Sequence, residues 1–323
     1  MTKISSTRLG YTSNLDPVIE RLCEAYGIGE SVHFSIIAVG YEDCNVTIET
    51  QSGKYVAKIF SKERNKETIS RYVEIMTKVL DAGVNHPPLI RTGEGKVIYC
   101  DDQADGISMV LMDFIGGETF FELDRAPDNA ELKLIIEQAA KINGIDYHPI
   151  FLFDGWAIPN IEVMFDKVKN FIEPADLRLV EQAISKYKEI PADILPHALV
   201  HGDFTKANIL KGIDGKMYIL DFSVSNWYPR IQELAVISAN LLHSETDSGS
   251  LREKTDLVIT EYDKITPLTK DEKKYLYPYA LAGSAMEFMG ACSEKFIKGN
   301  SSEETDYWLN LGRNGLKREF TTG

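Results

Sequence analysis

Between residues 199 and 222 the chain reads Leu-Val-His-Gly-Asp-Phe-Thr-Lys-Ala-Asn-Ile-Leu-Lys-Gly-Ile-Asp-Gly-Lys-Met-Tyr-Ile-Leu-Asp-Phe, and this stretch constrains the fold most tightly. The apolar run Met217 to Leu220 follows a turn at Asp214-Gly215 that folds it back toward the preceding segment. Such a hairpin can bring Asp203, Asn208 and Asp221 to one mouth. Each alone reads more simply as a turn or strand-end cap, a common use of short polar side chains.

Taken together and in this order, the three point to chemistry. Phosphoryl transfer needs a carboxylate to take or orient the proton of an attacking hydroxyl. It also needs an amide and a second carboxylate to hold Mg²⁺ against nucleotide phosphates. Asp203, followed by Asn208 and Asp221, supplies that set.

His201-Gly202-Asp203 to Asn208, followed by Ile219-Leu220-Asp221-Phe222, resembles the signature of the aminoglycoside phosphotransferase and choline kinase superfamily, which shares the protein-kinase-like fold. The resemblance implies an α+β, two-lobed molecule. Its small N-lobe would carry an antiparallel sheet and one main helix (1–113), and its larger C-lobe would be mainly helical (114–323). Protein kinases usually carry Arg where Gly202 stands and Gly where Ser223 stands. The first departure points to small-molecule kinases; the second leaves open how the backbone turns after Asp221.

At 323 residues, 44% hydrophobic and 26% charged, the chain suits one large domain or two lobes. It has no apolar N-terminal run and no eighteen-residue apolar stretch, so neither a conventional signal peptide nor a membrane span is expected, and the cytoplasm is the expected compartment. Cys23, Cys44, Cys100 and Cys292 lack metal spacing and read as reduced, mostly buried thiols. A net charge of −14 repels nucleic acid and suits a cationic acceptor, although acidity serves solubility equally well.

Asn14 is placed to cap a helix over 14–29. Strands follow at Phe34 to Val39, Val46 to Thr50 and Tyr55 to Phe60, with Ser52-Gly53 as a hairpin turn. The loop Gly40-Tyr-Glu-Asp-Cys-Asn45 stands where a kinase places its phosphate-covering loop, with Gly40 expected at the nucleotide; it has a single glycine, and with the strands around it resembles type II homoserine kinases. Tyr55-Val56-Ala57-Lys58-Ile59 resembles the kinase strand whose lysine grips the α- and β-phosphates; a solvated lysine is the ordinary alternative.

A helix over Lys62 to Ala82 offers Glu67 and Glu74, two turns apart on one face, as partners for Lys58. The homoserine kinase pattern favours Glu67. Strands at Lys96 to Cys100 and Ser108 to Phe114 complete the first lobe. Met109 to Gly117 resembles the superfamily's crossing between lobes, with adenine expected against Met112 and the backbone of Asp113 and Phe114.

Further helices are expected over Ala130–Asn143, Ile161–Phe171, Ala175–Glu189, Leu251–Lys264, Lys270–Lys298 and Glu303–Arg318. Glu233, in the helix after Pro229, either anchors the catalytic hairpin or meets the acceptor. Lys206 either touches the γ-phosphate or is an exposed loop lysine. The reading is an ATP- and Mg²⁺-dependent transfer to a hydroxyl of a small molecule such as homoserine, choline, ethanolamine or an aminoglycoside. A nucleotide-binding pseudo-enzyme on the same fold is the alternative, with a Ser/Thr protein kinase behind it.

Overall fold

A computed structural model of the chain describes residues 9, 11, 14–37, 40–244 and 249–321. The chain divides into two compact units, Met1–Asp81 with Asn85–Gly117, and Ala82–Val84 with Glu118–Gly323. The expected strand end at Val39 lies outside the described residues.

In the first unit, helix α1 (Asp16–Tyr26) precedes strands β1 (Ser31–Ile37), β2 (Cys44–Thr50) and β3 (Lys54–Ile59), helix α2 (Lys66–Asp81), and strands β4 (Ile98–Asp101) and β5 (Ile107–Asp113). They form one antiparallel sheet in the order β1-β2-β3-β5-β4. Along β2, Cys44, Val46 and Ile48 are buried while Asn45 and Thr47 are half-buried, the period of a strand with one face on a core. That core receives Val18, Ile19 and Leu22 of α1. Asn14 accepts the Asp16 amide at 3.2 Å but stands one residue before the N-cap, Leu15, so the helix begins later than expected; it closes at Gly27, whose φ of +64° is the left-handed cap that glycine adopts without strain.

Helix α2 starts four residues later than its pattern suggests. Asn65 accepts the Thr68 amide as a cap, and Ser61 and Arg64 are committed to Asp43 instead.

The second unit is mainly helical: α3 (Asn129–Asn143), α4 (Ile161–Val168), α5 (Pro174–Lys188), α6 (Ile231–Val236), α7 (Leu251–Asp263), α8 (Lys270–Cys292) and α9 (Glu303–Thr321). Its small sheets carry the site. Strands β6 (Gly117–Thr119), β8 (Ile209–Gly212) and β9 (Met217–Ile219) make one, and β7 (His197–Val200) pairs with β10 (Asn226–Pro229) in the other. Helix α8 is the buried spine, and α9 lies so close to it that a Cβ at Gly312 would fall 2.8 Å from the Ser284 carbonyl oxygen.

Among the described residues no helix is long and apolar enough to cross a membrane. All four cysteines are free thiols; Cys23, Cys44 and Cys292 are buried and Cys100 is exposed.

Candidate active site

The loop between β7 and β8 holds His201 to Asn208. The hairpin β8–β9 pairs Ile209 with Ile219, and the Leu220 amide donates to the Asn208 carbonyl at 2.8 Å, which sets Leu220 opposite Asn208 and Asp221 one residue beyond it. The turn between the strands is made at Gly215, with a φ of +80°.

His201 is fully buried against Phe204 and Phe222. Its Nδ1 accepts the Asp203 amide at 3.1 Å, so its Nε2–H donates to the Leu220 carbonyl at 2.8 Å. That pattern requires the neutral ring, and burial pushes its pKa down to about 4. His201 is therefore a bracket between the loop and the hairpin.

The Asn208 amide nitrogen donates to Asp203 Oδ2 at 2.6 Å and to the Asp203 carbonyl at 3.1 Å. Burial first, and then the nearby Asp221 carboxylate, raise the pKa of Asp203 to about 6, against the hydrogen bonds from Thr205 and Asn208. Asp221 takes a left-handed φ of +59° and accepts the Ser223 amide on Oδ1 at 3.1 Å. The turn after Asp221 is thus made by the aspartate itself, and no glycine is needed at 223.

Glu233, on α6, is fully buried and accepts the backbone amides of His201 and, at 3.3 Å, Gly202. Anchoring, rather than meeting an acceptor, is what it does here. Burial raises its pKa to about 8. Gly202 has a φ of +90°, where a side chain would be strained.

Lys206 is buried, which rules out the exposed loop lysine. Its amide donates to Asn240 Oδ1 at 3.3 Å, and the Asn240 amide nitrogen donates to Glu287 of α8 at 3.0 Å. Asn240 lies in a π-turn over Ile237–Leu241, a local rearrangement that no apolar period announces. Burial and the charge of Asp203 push the pKa of Glu287 to about 8. The Lys206 carbonyl accepts from Phe121, whose ring meets Tyr307 at 5.0 Å and Trp308 at 5.7 Å; the Trp308 indole faces Glu304.

In the first unit, Lys58 on β3 is buried, and Met112 and Asp113 on β5 pair with Val56 and Tyr55. The Asp113 amide donates to the Pro88 carbonyl at 3.0 Å and that of Phe114 to the Lys54 carbonyl at 3.2 Å. Gly40 has a φ of +105°.

The expected Lys58–Glu67 pair does not form. Lys58 Nζ lies 3.3 Å from Asp43 Oδ2, both side chains being at most 3% exposed, whereas Glu67 and Glu74 are exposed. The residue α2 turns toward Lys58 is Tyr72, its ring centre 5.1 Å from Nζ. At 100° per residue, Glu67 is about 140° from Tyr72 around the helix and Glu74 about 160° in the same sense, so both point off that face. Asp43 and Asn240 are the residues that motif reading passes over. Asp43 could have been found from the strand register alone.

A family model described as "Phosphotransferase enzyme family" matches residues 33–266. The chain belongs to this phosphotransferase family. It is a small-molecule kinase acting on a hydroxyl acceptor, in a family that uses ATP. Among similar proteins, the homoserine kinase of Parvibaculum lavamentivorans is 23% identical over 291 residues, 86% of this chain and 85% of that protein. That of Brucella ovis is 24% identical over 270 residues, 82% and 79%.

The spectinomycin phosphotransferase APH(9)-Ia, solved with ADP and spectinomycin, matches with a TM-score of 0.68 at 15% identity, over 95% of this chain and 98% of that one. The choline kinase LicA of Streptococcus pneumoniae matches with a TM-score of 0.65 at 14% identity, over 94% and 99%. The phosphotransferase fold is therefore the α+β architecture anticipated from the central motif, with its five-stranded sheet before a helical region.

Proposed function

We propose that this kinase transfers the γ-phosphate of ATP to the hydroxyl of a small amine-bearing alcohol, the first unit holding the nucleotide and the second carrying catalysis and the acceptor. The observation that carries the reading is the 2.6 Å bond from the Asn208 amide nitrogen to Asp203. It directs one side of the amide to the catalytic carboxylate and turns the carbonyl oxygen away from it.

Asp203 accepts the proton of the acceptor hydroxyl as the general base. The Asn208 carbonyl oxygen and the Asp221 carboxylate are hard oxygen donors of the kind that Mg²⁺ selects. When bound, Mg²⁺ would neutralise charge on the β- and γ-phosphates.

Lys58 grips the α- and β-phosphates. Met112 and Phe114 flank the adenine. Pro88 has no N–H to return to Asp113, which leaves the Asp113 carbonyl and the following Ile115 amide to meet the donor and acceptor of the adenine edge.

An amine on the acceptor is favoured by the half-buried acids Glu287 and Glu304, an arriving ammonium drawing the raised pKa of Glu287 back down, and by Phe121, Tyr307 and Trp308, tied through Lys206 to the loop of Asp203. The test is consumption of Mg-ATP across homoserine, choline, ethanolamine, sugars and aminoglycosides, with Asp203→Asn as the comparison. The variant should lose at least a hundredfold in kcat with the best acceptor; full activity in it would sink the role given to Asp203.

A further inference from the structure

We propose that Asp43, rather than a glutamate of α2, is the positioning residue that aims Lys58 at the nucleotide. The inference rests on the phosphate-gripping role of Lys58 given above.

The strand register explains the juxtaposition. β2 and β3 pair Asn45 with Lys58, so these two side chains stand on one face of the sheet. Asp43 lies two residues before Asn45 and projects to that same face, where it is a diagonal neighbour of Lys58 within reach of a long side chain. The loop residue is thereby built into the sheet next to the lysine, although in sequence it is only one acidic residue among several.

The carboxylate divides its work between its two oxygens. Oδ1 accepts the Ser61 amide at 3.1 Å and Arg64 Nε at 2.8 Å; Oδ2 faces Lys58 Nζ at 3.3 Å. Glu42 holds the other end of Arg64 at 2.7 Å, so the guanidinium is fixed between consecutive loop carboxylates. Asp43 is therefore held from the Oδ1 side whether or not the lysine leans toward it. A fixed anion beside a flexible ammonium narrows the directions in which that ammonium can point, which is what a phosphate clamp requires.

Burial sharpens the effect. Asp43 and Lys58 side chains are 3% and 2% exposed, so neutralising the acid leaves a buried ammonium without this counter-charge. Helix α2 contributes the Tyr72 ring on this side and sends Glu67 and Glu74 to solvent. The loop with a single glycine thus contributes a carboxylate where a glycine-rich loop would contribute backbone amides.

The test reads nucleotide binding, which needs no acceptor. Mg-ADP affinity is measured by calorimetry for the full chain, for Asp43→Asn, Glu67→Gln, Glu74→Gln and Lys58→Met, and for Asp43→Asn combined with Lys58→Met. Asp43→Asn should weaken binding at least tenfold, while the two glutamine variants stay within twofold. In the Lys58→Met background, Asp43→Asn should add less than a further twofold, since its effect passes through the lysine.

A tenfold loss in Glu67→Gln, or full additivity of Asp43→Asn with Lys58→Met, overturns the assignment; additivity is what a purely structural role for Asp43 would give. Should Asp43→Asn fail to fold, Asp43→Asn with Arg64→Gln, which removes one charge of each sign, takes its place with the same readings. Absence of Mg-ADP binding in the unaltered chain would instead strike the proposed function and this inference with it.

Discussion

Glu233 shows how much one buried side chain can govern. Its two oxygens take the amides of consecutive residues, His201 and Gly202, directly before Asp203. Glutamine at 233 keeps one accepting oxygen but turns an NH₂ group toward the other amide, leaving a buried donor facing a donor. At pH 9, where Glu233 with its raised pKa of about 8 is ionised, Glu233→Gln should therefore destabilise the protein by about 1–3 kcal/mol and lower kcat more than it changes KM for ATP, because the residue touches the loop rather than the nucleotide. Urea unfolding and steady-state kinetics would check it, and an unchanged unfolding midpoint would contradict it. The anchoring role was open in the sequence because an acid near a motif reads equally as ligand or support; complete burial on α6 decides it. Lys206 is a parallel case, since nothing in its neighbours' identities announces that the loop folds inward.

At the scale of elements, the hairpin β8–β9 was legible because Asp214-Gly215 fixes a turn and the flanking apolar runs fix its arms. The helix α2 was legible as a helix but not in its rotation. Glu67 and Glu74 share a face as their spacing says; which face meets the sheet is set by Ile69, Tyr72, Ile75, Met76 and Val79 packing inward. The π-turn carrying Asn240 had no signal at all.

Helix α3 offers a prediction at this scale. Glu131 completes the capping box with Asp128 and also pairs with Arg125 at 2.6 Å and Lys211 of β8 at 2.8 Å. Arg125 first among these partners lowers its pKa from 4.5 to about 2. A depressed carboxylate pKa means stability that is fully present above the unfolded value, near 4.5, and lost as pH falls toward the folded one, near 2. With both cationic partners partly exposed, that loss is about 2 kcal/mol. Urea midpoints at pH 5 and pH 2.5 should converge between the unaltered protein and Glu131→Gln; a constant gap across that window would remove Glu131 from the account.

Over the whole molecule, a net charge of −14 acts on every ligand before any contact forms. The proposed acceptor is a cation and ATP a polyanion, so the same long-range field attracts one and opposes the other. Salt shortens the reach of that field, from about 10 Å at 0.1 M to about 3 Å at 1 M. KM for an amine-bearing acceptor should therefore rise several-fold across that range. A neutral sugar alcohol turned over by the same enzyme should show little change, which separates field effects from general effects of salt on catalysis. Glu287 and Glu304 lie beside the catalytic loop and are screened less than surface charges; at pH 9, above the raised pKa of Glu287 of about 8, Glu287→Gln should raise KM for the amine at both ionic strengths. If KM for the amine fell with salt, or did not move, neither the global charge nor this acidic corner would be steering the acceptor, and its recognition would have to rest on the hydroxyl and on the aromatic rings of Phe121, Tyr307 and Trp308.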